Sequence, residues 1–157
     1  MTSLVTVSEA VTVLAGLGHE LTERQIRYLG LVPSQRWPGR NGGRLFDPVD
    51  VTLLAVFADL LARCREWELP AWSARAALTY RGDALRRAIG RRSPRFLLVD
   101  SARGTVTLSE TRDTDTYAID VRALAGRVTA AVRQYRALDP SIWTGAERVP
   151  LRELPSG

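Results

Sequence analysis

The chain contains no lysine, and it has one cysteine, one histidine and one methionine among its 157 residues. Each scarcity closes a class of function. With Cys64 alone there is no internal disulfide and no multi-cysteine metal site. On an apolar helix this thiol reads as a small hydrophobe. Without lysine, the glycine-rich stretch from Gly39 to Gly43 cannot be a phosphate loop, which needs a lysine at the β- and γ-phosphates. His19 sits in a turn with no ligand partners near it in sequence, and is expected to be an exposed turn residue. No Ser/His/Asp or Cys/His set and no paired-carboxylate motif stands out, so neither an enzyme, a cofactor nor a metal is expected. No apolar run approaches the roughly 20 residues of a membrane span. The first ten residues, MTSLVTVSEA, carry neither the basic stretch nor the apolar core of a signal peptide. A cytoplasmic protein with no membrane partner is the expectation.

What is present is arginine. All 22 cations are arginines, against 17 acidic residues, for a net charge of +5. Residues 1–95 hold fourteen arginines and nine acids, whereas residues 96–157 hold eight of each. The whole excess lies in the N-terminal part, as expected where that part meets a polyanion. It is densest between residues 19 and 44, with five arginines and two acids.

Turn and cap signals divide the chain. Thr6-Val7-Ser8-Glu9 matches a capping box, predicting a helix with Val7, Val11, Leu14 and Ala15 on one side and an end near Gly16 or Gly18. Thr22-Glu23-Arg24-Gln25 is a second box, opening a short helix over 22–29 with Ile26 and Leu29 inward. Pro38-Gly39 and Asn41-Gly42-Gly43 are turn signals between short strands around 35–37 and 44–46. Asp47 and Pro48 start a helix running to about Trp67, with Val49, Leu53, Val56, Phe57, Leu60 and Leu61 at helical spacing. Short helical pieces follow at 70–79 and 83–90. Beyond Arg91-Arg92-Ser93-Pro94 the period changes to two, predicting strands at 96–99 and 105–108 and a third at 117–119. From Asp120 to Leu138 the chain is helical again. Val121, Val128 and Tyr135 fall at one heptad position, and Leu124, Ala131 and Leu138 at the other. That stripe suits either a dimerisation seam or packing on the chain's own hairpin.

The order helix, turn, short helix, arginine-rich hairpin, long helix, short helix resembles the DNA-binding region of the MerR family of transcription regulators. Arg27-Tyr28 followed by Gly30-Leu31-Val32-Pro33, the segment from Arg44-Leu45-Phe46 to Val51, and Trp67-Glu68-Leu69-Pro70 through Leu78 carry the resemblance, over residues 5–80. It implies a mainly α fold with small β elements (α+β). A winged helix-turn-helix over 1–80 would be followed by a helical linker at 81–94, a hairpin and helix at 95–138 for dimerisation or an effector, and an extended tail at 139–157. It further implies a homodimer on an inverted repeat of double-stranded DNA, with RNA polymerase or a small-molecule effector as further partners. Metal sensing is not expected, because no cysteine follows residue 64.

The residues assign themselves roles on that frame. Thr22, Glu23, Arg24 and Arg27 are the outward side chains of the recognition helix. Arg24 can reach guanine O6 and N7, a contact worth about 1–3 kcal/mol of discrimination. Glu23 either accepts from cytosine N4 or serves only the helix N-terminus. Arg27 and Tyr28 suit phosphates, which position the protein without reading sequence. Arg36, Arg40 and Arg44 flank the hairpin turn and suit phosphates or the minor groove. Asn41 either touches DNA or supplies the turn's positive φ. Trp67, Trp72, Tyr80 and Trp143 either line an effector pocket or pack in the core. Two other classes fit the same residues: an excisionase-like or partition-type architectural DNA-binding protein, and an antitoxin-like module that binds a protein through 95–138.

Overall fold

The structure is a computed structural model, and it describes residues 4–29, 35–36, 44–103, 105–112 and 115–138. Ten elements follow in order: α1 (Val7–Gly16), α2 (Glu23–Leu29), β1 (Gln35–Arg36), β2 (Arg44–Leu45), α3 (Pro48–Glu66), α4 (Trp72–Arg91), β3 (Phe96–Asp100), β4 (Thr105–Ser109), β5 (Tyr117–Asp120) and α5 (Val121–Leu138). The fold is mainly helical α+β, with one three-stranded antiparallel sheet ordered β4-β3-β5 and a short β1-β2 pair.

Local chemistry sets the helix starts. In α1 the Thr6 hydroxyl accepts from the Glu9 amide while Glu9 accepts from the Thr6 amide at 2.8 Å. In α3 the same reciprocal box joins Asp47 and Asp50, with Pro48 inside the first turn. Each box satisfies two orphan amides that folding would otherwise strip of water. α1 ends where Gly18 takes φ +86, a conformation that costs glycine no Cβ clash. Its buried face is Ala10, Val13 and Leu14, with Val7 and Val11 half-buried; Ala15, expected inward, is exposed.

α3 is the central element, and its residues from Val51 to Ala58 are all buried. α4 and α5 both pack on it, α1 packs on α5 and α2, and the sheet lies against α4 and α5. Along the sheet, Leu97 sits across from Leu108 and Ile119, and Val99 from Val106 and Tyr117. This period-two face closes the core from below. One contiguous cluster of buried residues runs from Val5 to Val132. Each fully buried large side chain in it, such as Phe46, Phe57 or Leu85, contributes about 1.5–3 kcal/mol.

One expectation is corrected, and one open alternative is met. The helical pieces at 70–79 and 83–90 are one helix, so residue 80 and residues 81–91 of the expected linker lie inside α4, and 92–94 follow its end. Gly82 costs a helix about 1 kcal/mol, and burying Leu78 and Leu85 on either side outweighs it. The stripe on α5 is used within the chain: Val121, Leu124 and Val128 are buried in the core, and Ala131 and Tyr135 pack against it. Of the two alternatives, packing of the stripe within the chain is the one observed. The side chain of Leu138 and the tail from 139 to 157 lie outside the described residues. No helix among the described residues is long and apolar enough to cross a membrane.

Candidate nucleic-acid interface

α2 is only seven residues long, so its cap matters. Thr22 and Gln25 form the expected box: the Thr22 amide donates to Gln25 Oε1 at 2.9 Å, and the Gln25 amide donates to Thr22 Oγ1 at 3.1 Å. Thr22 is therefore engaged in holding the helix start. Ile26 and Leu29 are buried, which anchors one side of the helix on α1. Arg24, Arg27 and Tyr28 are exposed and, at positions i, i+3 and i+4, share the opposite face. Glu23 is half-buried at the first turn, where a carboxylate complements the helix N-terminus.

Tyr28 is 48 % exposed, and the Arg75 guanidinium lies 4.8 Å from its ring centroid. Arg75 stands in the first turns of α4, three residues after Trp72, which is 62 % exposed. Arg75 of α4 thus joins the expected face of α2, a residue that sequence reasoning missed, with Trp72 exposed one turn before it. The signal was faint: Trp72 and Arg75 are spaced i, i+3, but nothing local says which surface α4 faces.

The second expected contact element is shown only by its backbone. β1 and β2 pair antiparallel with Arg36 opposite Arg44 and Gln35 opposite Leu45. A bridge between Val5 and Phe46, with amide–carbonyl distances of 2.9 and 2.8 Å, ties the chain entering α1 to the end of β2. Arg40 and Asn41 lie outside the described residues, as do the side chains of Arg36 and Arg44.

The remaining candidates resolve differently. His19 is half-buried and not an exposed turn residue. Burial lowers its pKa from 6.5, Arg127 acts in the same direction, and Asp59 opposes. Trp67 packs in the interior, its ring meeting Tyr117 edge-on at 5.7 Å. Tyr117 donates to Asp59 at 2.6 Å and lies under Arg63 at 5.1 Å, and burial pushes its hydroxyl well above the ordinary phenol range. The gap beside Trp67 and Cys64 is about 10 Å³, the size of one water, so it holds no effector. Cys64 is buried, and burial raises its thiol pKa. Trp143 lies outside the described residues, and of Tyr80 only the backbone is described. No cluster of three or more metal-ligating side chains occurs among the described residues. The chain matches no protein-family model, no curated protein and no solved structure.

Proposed function

We propose that the chain is a double-stranded DNA-binding transcription regulator whose first half works as a winged helix-turn-helix of the MerR type. The observation that carries this reading is the face of α2: Arg24, Arg27 and Tyr28 exposed on one side, Ile26 and Leu29 buried on the other, and Arg75 stacked on Tyr28. A recognition helix needs this division, with a fixed inner side and outward donors near its start. Arg24, nearest the N-terminus, reads base edges. Arg27, Tyr28 and Arg75 hold phosphates, with the ring keeping the Arg75 guanidinium oriented. The register of β1 and β2 supports the same reading. Like charges at directly opposed strand positions disfavour pairing unless an anion lies between them, and Arg36 opposes Arg44.

Dimerisation on an inverted repeat belongs to this proposal, but through a surface other than the buried α5 stripe. Unbiased selection of bound DNA fragments tests it, since it yields site, symmetry and half-site spacing together. A defined motif that loses one position in Arg24→Ala is expected, with affinity falling by about 0.9 log unit per log unit of salt for each neutralised phosphate. An unenriched pool, or a flat salt response, overturns the proposal.

A further inference from the structure

Away from α2, the outward face of α5 meets the first turn of α3 and the last turn of α4 in a cleft of about 500 Å³. It exists because the floor recedes: Ala125, Gly126, Thr129 and Ala130 succeed one another along α5 where larger side chains would fill the space. Arg122 and Arg133 stand at the two ends of that floor, three turns or about 16 Å apart along the axis. Arg92 completes the rim from the end of α4, and no acidic residue among the described residues lines the cleft. The nearest buried carboxylate, Asp50 in the first turn of α3, is fully enclosed and bound to Arg86. Val49 and Ile89 supply apolar wall, beside the threonines Thr52 and Thr129.

The cations are differently held. Arg122 donates through both Nε and Nη2 to the Arg92 carbonyl, the former at 3.0 Å. This fixes its guanidinium plane at the cleft mouth and leaves Nη1 outside those bonds. Neither Arg92 nor Arg133 has a carboxylate partner among the described residues.

We infer that this cleft binds a small organic anion with an apolar body, of the aryl carboxylate or aryl sulfonate class. The volume lies within the roughly 300–1,000 Å³ of small-molecule sites, which pair apolar walls with a few placed polar groups. Arg92 and Arg133, with no carboxylate partner among the described residues, select the anion together with the oriented Arg122, and Val49 and Ile89 select the ring. A second copy fits worse. Two α5 helices crossing antiparallel midway along this floor, near Arg127, would set Arg122 of one against Arg133 of the other, like charge against like. A duplex fits worse still, being too wide to enter, and the cleft lies at the opposite end of α4 from Arg75, about 25 Å along the axis. The cleft takes an anion whether or not the α2 face meets DNA.

Titration of the full chain with 8-anilinonaphthalene-1-sulfonate, followed by fluorescence, tests this. One saturable site per chain is expected, displaced by 1-naphthoate and not by the neutral 1-naphthylmethanol. Arg122→Gln combined with Arg133→Gln is expected to weaken binding at least tenfold. Gly126→Leu is expected to abolish it by filling the floor, since a Cβ there meets nothing within 4 Å and the helix tolerates it. Gly126→Leu should keep the wild-type melting temperature, and the double arginine variant should lose only the small stability that the Arg122 bonds to the Arg92 carbonyl give. No saturable binding, equal displacement by the neutral alcohol, wild-type affinity in both variants, or displacement by a random-sequence duplex through the same arginines each overturns the inference.

Discussion

Arginines on the face of α2 and arginines around the core are handled in opposite ways. Arg24 and Arg27 on α2 are exposed, with no carboxylate partner among the described residues. Elsewhere, by contrast, several guanidiniums are tied into the fold. Arg86 binds the buried Asp50, Arg63 reaches Glu66 at 2.6 Å, Arg95 reaches Asp120 at 2.8 Å and Arg122 holds the Arg92 carbonyl. A guanidinium that serves the fold is matched by an acceptor, because its desolvation must be offset. One that serves an external polyanion stays hydrated and unmatched until the ligand arrives.

The sharpest way to break this comparison is at Arg86. Arg86→Met leaves the Asp50 carboxylate enclosed without its cation and is expected to cost about 3 kcal/mol of unfolding free energy, the lower end for a buried pair because Arg86 itself reaches solvent. Chemical denaturation measures it. A change under about 1 kcal/mol would mean that Asp50 is carried by its amide contacts alone. The opposite pattern is expected at α2. Arg24→Ala with Arg27→Ala should leave stability within about 0.5 kcal/mol while weakening specific DNA binding by about 3 kcal/mol, on the order of a hundredfold. Equal loss of stability in the two cases would erase the distinction.

Smaller effects sharpen it. Tyr117→Phe removes the bond to Asp59 and is expected to cost about 1.5 kcal/mol, read by denaturation near neutral pH. Because the folded state raises the Tyr117 pKa above 10, its contribution is present below that pH and is lost as pH climbs beyond it. Arg75→Met keeps the aliphatic cover on Tyr28 but removes the cation. It should weaken DNA binding severalfold, matching the roughly 0.5–1 kcal/mol of an exposed cation–π contact plus a lost phosphate ligand. Unchanged affinity would restrict the interface to α2 and the β1-β2 pair.

What could be read from the chain in advance follows the range of the forces involved. The three capped helix starts were legible because a capping box is a contact between residues i and i+3: Thr6 with Glu9, Thr22 with Gln25, Asp47 with Asp50. The three strands beyond Pro94 were legible because one buried face imposes a period of two. The face of α1 was displaced, since Ala15 is exposed while Ala10 and Val13 are buried, and which stripe turns inward depends on the helices it meets. The continuity of α4 was hidden because the cost of Gly82 is local, whereas the burial of Leu78 and Leu85 that overrides it comes from α3 and the sheet. The stripe on α5 was correctly seen as apolar, but apolarity does not say which partner covers it. At the candidate interface the outward residues of α2 were legible from Ile26 and Leu29. Arg75 was not, because its link to Tyr28 joins helices distant in sequence.

The smallest effect lies where the two regions join. His19, in the turn before α2, is half-buried and feels Asp59 of α3 and Arg127 of α5. Loss of hydration lowers its pKa from 6.5, so the folded chain binds a proton less readily than the unfolded one. The stability this gives is fully present above 6.5 and is lost as pH falls from there through the folded value. The denaturation midpoint should accordingly decrease between about pH 7.5 and about pH 5.5, and His19→Gln should flatten that slope while leaving the neutral-pH midpoint nearly unchanged. The window stays above the range in which Asp120, held low by Arg95, begins to take up protons. If wild type and variant lose stability in parallel, the proton acts elsewhere, and the α1–α2 turn is not closed against α3 and α5 strongly enough to dehydrate the imidazole.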